Sequence, residues 1–256
     1  MRRLAWLVAL FAVLAPIHAL ADVQVTVAGA VVRPGAQSWP EGSRFSAAVL
    51  AATPTEEAYP LGASVLRAAE LPAQRALKAG VLYDLNVIAT APDVAAPLAV
   101  RAAAIHDWID ALPVTGRVRA DLQPRRLEVD AGGNRVLADG DRFQYPRRPD
   151  TVRVVGAVPL LCTLPHVPLR NARDYLRECA VDSGAADRDF LLVVQPDGEV
   201  QRLGIAAWNR SAAQALAPGA VLYVPLDEAA SQSLAPGLND ELAAFLATQP
   251  LPVDAP

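Results

Sequence analysis

The sequence is poor in the residues that most often carry chemistry. Lysine occurs once, at Lys78. Histidine occurs three times, and neither His106 nor His166 has a cysteine or a second histidine at ligand spacing. His106 and Asp110 would share a helix face, but two ligands are too few for a closed metal site, and a solvated face is the simpler account. No metal or cofactor is expected. The chain has no G-x-S-x-G elbow, no H-E-x-x-H pair and no glycine loop placed to cradle phosphate before a helix. Gly132-Gly133 falls instead in an expected hairpin. Cysteine is confined to Cys162 and Cys179, without C-x-x-C spacing, which argues against thioredoxin-like redox chemistry. The apolar run at residues 4–14 is shorter than the roughly 20 residues that span a bilayer, so no membrane-spanning helix is expected in the mature chain.

Basic residues are outnumbered 23 to 27 by acidic ones, for a net charge of −4. A general nucleic-acid or anionic-membrane binder would be basic, so no nucleic-acid partner is expected. The charge is unevenly spread: residues 117–153 hold nine arginines against six acids. Such a stretch is either a solvated surface or a seat for an acidic glycan.

With 53% hydrophobic residues and a length of 256, the chain has material for about two small domains. Met1-Arg2-Arg3, the apolar run and Ala19-Leu20-Ala21 have the three parts of a secretory leader, with cleavage expected before Asp22. No cysteine stands at that point for lipidation. In an exported protein an even pair of cysteines implies a disulfide, Cys162 to Cys179, with two separately buried thiols as the alternative.

An internal repeat organises the rest. Val25-Thr26-Val27-Ala28-Gly29-Ala30-Val31 is matched by Val152-Arg153-Val154-Val155-Gly156-Ala157-Val158. Leu137-Ala138-Asp139-Gly140 is matched by Leu216-Ala217-Pro218-Gly219 before a closing strand. One unit used twice follows, the first copy lengthened by an insertion. Each copy reads as a hairpin, a short helix and later strands, the order of a β-grasp unit. In the first, Arg33-Pro34-Gly35 supplies a turn, and Ser43 is placed to cap a helix with Phe45, Val49 and Leu50 on one side. A later hairpin is expected over Leu127-Glu128-Val129, Gly132-Gly133-Asn134 and Val136. In the second copy a helix is expected at 172–179, and Pro196-Asp197-Gly198 has the chemistry of a hairpin turn.

The insertion, about 53–113, carries two helical stripes. The first runs through Leu77, Val81, Leu85 and Ile88 after Pro72, the second through Leu98, Ala102, Ile105, Ile109 and Leu112. They predict an antiparallel helix pair leaning on the sheet. Near the C-terminus Asn239 is placed to cap an amphipathic helix that buries Leu242, Phe245 and Leu246, followed by a loose tail from Pro250.

On these features the chain resembles the GfcC-like (YjbG-like) capsule and exopolysaccharide biosynthesis family. The resemblance rests on the Val25-to-Gly35 opening and the paired units with the helical insert. Leu112-Pro113-Val114-Thr115-Gly116-Arg117, Arg147-Arg148-Pro149, Trp208-Asn209 and the C-terminal helix also match. It implies an α+β fold of two tandem β-grasp (SLBB-like) domains. They are 22–149, with the insert, and 150–228, after a signal peptide at 1–21 and before a C-terminal helix and tail at 229–256. It implies a non-enzymatic periplasmic accessory protein whose partners are polysaccharide or polysaccharide-export proteins. It also places a pocket arginine at Arg117, with Arg119, Arg125 and Arg126 close by; pairing to an acid between domains is the plainer role. A periplasmic polysaccharide-modifying enzyme is the alternative, because a glycosidase needs only two carboxylates.

Overall fold

The computed structural model describes residues 22–253, so the expected leader and its cleavage lie outside the described residues. Two five-stranded mixed sheets, with helices on them, form an α+β structure. The first sheet holds β1 (Asp22–Gly29), β2 (Gly35–Pro40), β3 (Ser64–Leu66), β4 (Arg117–Val118) and β5 (Arg142–Tyr145), in the order β2-β1-β5-β3-β4. The second holds β6 (Thr151–Gly156), β7 (Cys162–Pro165), β8 (Phe190–Val194), β9 (Val200–Gly204) and β10 (Val221–Val224), in the order β7-β6-β10-β8-β9. These are the same order. In each sheet the opening strand pairs antiparallel with the second strand and parallel with the last, and the last pairs antiparallel with the third.

The repeat extends to single hydrogen bonds. Gly29 and Gly156 end equivalent strands at φ +94° and +98°, where a Cβ would lie 2.0 Å from Tyr145 O and 2.2 Å from Val224 O. The next amide donates to that same carbonyl in each copy, Ala30 to Tyr145 at 2.7 Å and Ala157 to Val224 at 2.9 Å. Only glycine lets the two backbones come this close.

The copies differ between their third and fourth strands. Pro196-Asp197-Gly198 joins β8 to β9 in a tight turn, with Asp197 Oδ1 accepting from Glu199 N at 2.9 Å. Between β3 and β4 the chain instead makes α2 (Leu71–Thr90) and α3 (Ala96–Asp110), after α1 (Phe45–Ala52). Both predicted stripes are real: Val81, Leu85 and Ile88 are buried on α2, and Leu98, Ala102, Ile105 and Ile109 on α3. The insertion is not wholly helical, however, since the segment 53–113 also supplies β3. The sheet whose apolar cluster the helix pair joins is the second one; none of its residues enters the cluster of the first.

Three local expectations are corrected. The hairpin expected at 127–136 begins instead with α4 (Pro124–Val129), in which Leu127 is buried while Glu128 and Val129 are exposed. Pro124, with φ preset for a first helical turn, outweighs the short Leu-Glu-Val alternation. Ser43 does not cap α1, whose N-cap is Arg44. Asn134, distant in sequence, accepts from Ser46 N at 3.0 Å, and Leu50 is 52% exposed, off the buried face. Asn239 does not cap α7 (Leu238–Ala247); Gly237 holds that place. Asn239 is buried, accepting from Tyr223 Oη at 2.8 Å and Leu226 N at 3.0 Å and donating to Leu226 O at 2.9 Å.

The second sheet is covered on both faces. On one face Cys162, paired opposite Val154, bonds to Cys179 just beyond the short helix α5 (Ala172–Tyr175), with Cα atoms 6.0 Å apart. The opposite face carries Tyr223 and meets α7, which follows α6 (Glu228–Ser231). As expected, Leu242, Phe245 and Leu246 of α7 are buried. The described part of the tail is not loose: Leu251 packs on Gly62 of the first unit and Gly219 of the second.

Candidate functional site

Arg117 stands where the two units and the C-terminal helix meet. Gln74, two helical turns ahead of Val81 on the buried stripe of α2, fixes the approach to β4. It accepts from Gly116 N at 2.8 Å and donates to Arg117 O at 2.9 Å. Thr115 Oγ1 donates to Thr248 O at 2.6 Å. The guanidinium then reaches out of its own unit. Nη1 donates to Ala247 O at 3.1 Å and Gln249 O at 3.2 Å, and Nη2 to Pro196 O in the β8–β9 turn. A cation is favourably placed at the carbonyl end of α7. Arg117 is 7% exposed and makes no ion pair among the described residues. Burial lowers its pKa to about 10, with Asp197 opposing that shift and Arg119 adding to it. The group therefore stays charged at neutral pH, and its fork is turned to main-chain carbonyls rather than to solvent.

Sequence reasoning singled out Arg117 but missed Gln74 and Thr115, its supports. The available signal was Gln74 itself, a polar residue in register with an apolar stripe. Arg119, the nearest rival, points to Glu199 at 3.5 Å, and Arg126 to Asp121 at 3.4 Å. Arg125 is exposed.

Beside this joint lies an open cavity of about 350 Å³, bounded by the end of α3, β6, β7, the start of β10 and the tail. Its polar walls are Thr151, Arg153, Thr163 and Gln249, and Trp108 and Pro250 are among its apolar ones. Among the described residues Arg153 is the one ionisable residue in the lining. Strand register sets it opposite Thr163 and Val221 on one face of the second sheet.

Residues 161–250 match the family model described as capsule biosynthesis GfcC C-terminal. Over 149 residues, 58% of this chain, the sequence is 32% identical to "Uncharacterized protein YjbG" of Escherichia coli (strain K12). The two matches support a GfcC-like family for this chain. The match to that relative spans 60% of the relative's length.

The segment matched to the family model supplies Pro196, Ala247 and Gln249, the acceptors of the joint. Arg117, which donates to them, lies outside it. The histidines stand apart from both places. His106 lies 3.2 Å from its neighbour Asp107, and His166 Nε2 meets Leu216 O at 2.9 Å. Among the described residues no group of three or more His, Cys, Asp or Glu side chains is arranged to hold a metal, and no helix is long and apolar enough to cross a membrane.

Proposed function

We propose that this GfcC-like protein is a non-enzymatic periplasmic accessory protein of capsule or exopolysaccharide biosynthesis and export. Its two units, 22–149 and 150–228, act as β-grasp domains of the SLBB kind and bind glycan or a protein of the export machinery. The observation that carries this reading is the match of residues 161–250 to a capsule-biosynthesis family model. The leader-like start and the Cys162–Cys179 disulfide support an oxidising, exported setting. At this cavity binding rather than catalysis is supported, since acid–base hydrolysis needs at least two convergent titratable groups and Arg153 stands alone among the described residues of its lining. We assign Arg117 to the joint that presents this cavity, because its two Nη groups are engaged by the chain itself.

The test is deletion of the gene in its own host, with cell-surface polysaccharide quantified and the protein located by fractionation. Loss of surface polysaccharide, restored by a plasmid copy, and recovery of the protein in the periplasmic fraction are expected. Unchanged polysaccharide after deletion would remove the assignment.

A further inference from the structure

Within the arginine-rich stretch most cations are already engaged. Arg117 is held by carbonyls, Arg119 lies near Glu199, Arg126 near Asp121, Arg147 2.6 Å from Glu57, and Arg148 over the Tyr59 ring. Arg125, Arg135, Arg142 and Arg153 have no such partner among the described residues, but of these only Arg153 also lines the cavity. Among the described residues its side chain makes no hydrogen bond, ion pair or ring contact, yet it lines the cavity between the units.

We propose that this cavity binds a carboxylate-bearing sugar unit of a polysaccharide, Arg153 gripping the carboxylate and the Trp108 indole supporting the ring. The proposal deepens the glycan-binding reading above and rests on it. Three features point to this ligand. Among the described residues no acidic side chain lines the cavity, so none of its described walls neutralises the guanidinium. The planar fork of arginine matches a carboxylate through two hydrogen bonds. The other walls suit a sugar: Trp108 and prolines offer apolar surface, while Thr151, Thr163 and Gln249 bring hydroxyl and amide groups for ring hydroxyls.

Solvent reaches Arg153, so a chain end or an internal residue can enter from outside. Partial desolvation lowers the pKa of the guanidinium, which nonetheless stays open to solvent. At about 350 Å³ the space is at the small end of ligand cavities, room for a sugar ring and part of its neighbour.

The experiment is isothermal titration of the mature protein with carboxylated tetrasaccharides: galacturonate, glucuronate-containing hyaluronan and α2,8-sialate. Carboxyl-reduced counterparts and inorganic phosphate are the controls. At least one carboxylated sugar is expected to bind, with affinity reduced at least about tenfold by Arg153→Gln and by carboxyl reduction. Trp108→Ala should weaken it as well, and phosphate should not compete. The carboxyl-reduced comparison needs no variant and holds even if a substitution disturbs the fold. The proposal is overturned if no carboxylated sugar binds, if the reduced sugars bind equally, or if phosphate binds as tightly. Such a failure leaves the broader role intact where gene deletion still abolishes surface polysaccharide. Normal polysaccharide after deletion would remove that role and leave the in vitro binding result to stand by itself.

Discussion

Arg117 shows how a buried cation can serve a joint without an acid opposite. Its Nη groups satisfy the carbonyls of Ala247, Gln249 and Pro196, groups in two other parts of the chain, while its Nε is buried with no partner among the described residues. Arg117→Met would leave these without their donor and should cost about 3 kcal/mol in chemical denaturation. Arg117→Lys keeps the charge but not the fork, and should lose less. A methionine variant as stable as the wild type would show that the joint contributes nothing. Two buried tyrosines make a sharper contrast. Tyr223 donates to Asn239, whereas the Tyr145 hydroxyl is buried with no partner among the described residues. In urea titrations Tyr223→Phe should cost about 1 kcal/mol, and Tyr145→Phe should be neutral or slightly stabilising. Desolvation raises the pKa of both phenols. Above pH about 10 the unfolded tyrosines ionise while the folded ones keep their protons, so the unfolded state binds fewer protons and stability falls as pH rises, by about 1.4 kcal/mol per unit for each tyrosine. The lowered pKa of Arg117 acts the other way in the same range, which makes the difference between variants the cleaner readout. Tyr145→Phe should flatten the alkaline loss by one tyrosine's share.

The elements most legible in the sequence are those whose pattern is set by local burial. The stripes of α2, α3 and α7 and the valines of β1 and β6 each read correctly, because one face of each element meets a core. Less legible was anything decided by a partner far along the chain. Asn134 rather than Ser43 meets the start of α1, and Asn239 turns inward to Tyr223 instead of capping its own helix. Short alternation misled at Leu127-Glu128-Val129, where proline chemistry prevailed. The candidate site was legible in part. Arg117 stood out by resemblance, but nothing local reveals that its acceptors are three carbonyls, or that Arg153, on a strand, opens into a cavity beside Trp108. The cysteine pair could be read from its number and setting. It ties β7 to the segment beyond α5 across a sequence separation of 17, and its loss should cost about 3 kcal/mol in the loop-entropy account. Cys162→Ser/Cys179→Ser protein denaturing at the same urea concentration as the oxidised wild type would contradict that.

The two units share a strand order, yet the second does not own a separate core. Val81, Leu85 and Ile88 of α2, with Ile105 and Ile109 of α3, lie in one apolar cluster with Val155 and Tyr223 of the second sheet and Leu242 and Phe245 of α7. The insertion therefore emerges from the first sheet to complete the core of the second, and Arg117 closes the return path at β4. The segment that matches the family model, 161–250, begins after β6 and contains none of this helix pair. A fragment made of residues 150–253 would keep the disulfide and α7 but expose the surface that α2 and α3 cover. Burial of a single large aliphatic side chain contributes about 1.5–3 kcal/mol, and at least five are lost from the cluster at once, more than the net stability of most small domains. The fragment should therefore lack a cooperative thermal transition and bind a hydrophobic dye, while residues 22–253 unfold in one transition. Circular dichroism melts of the two proteins decide it, and a fragment that melts cooperatively near the temperature of the longer chain would show that the second unit stands without the helices of the first.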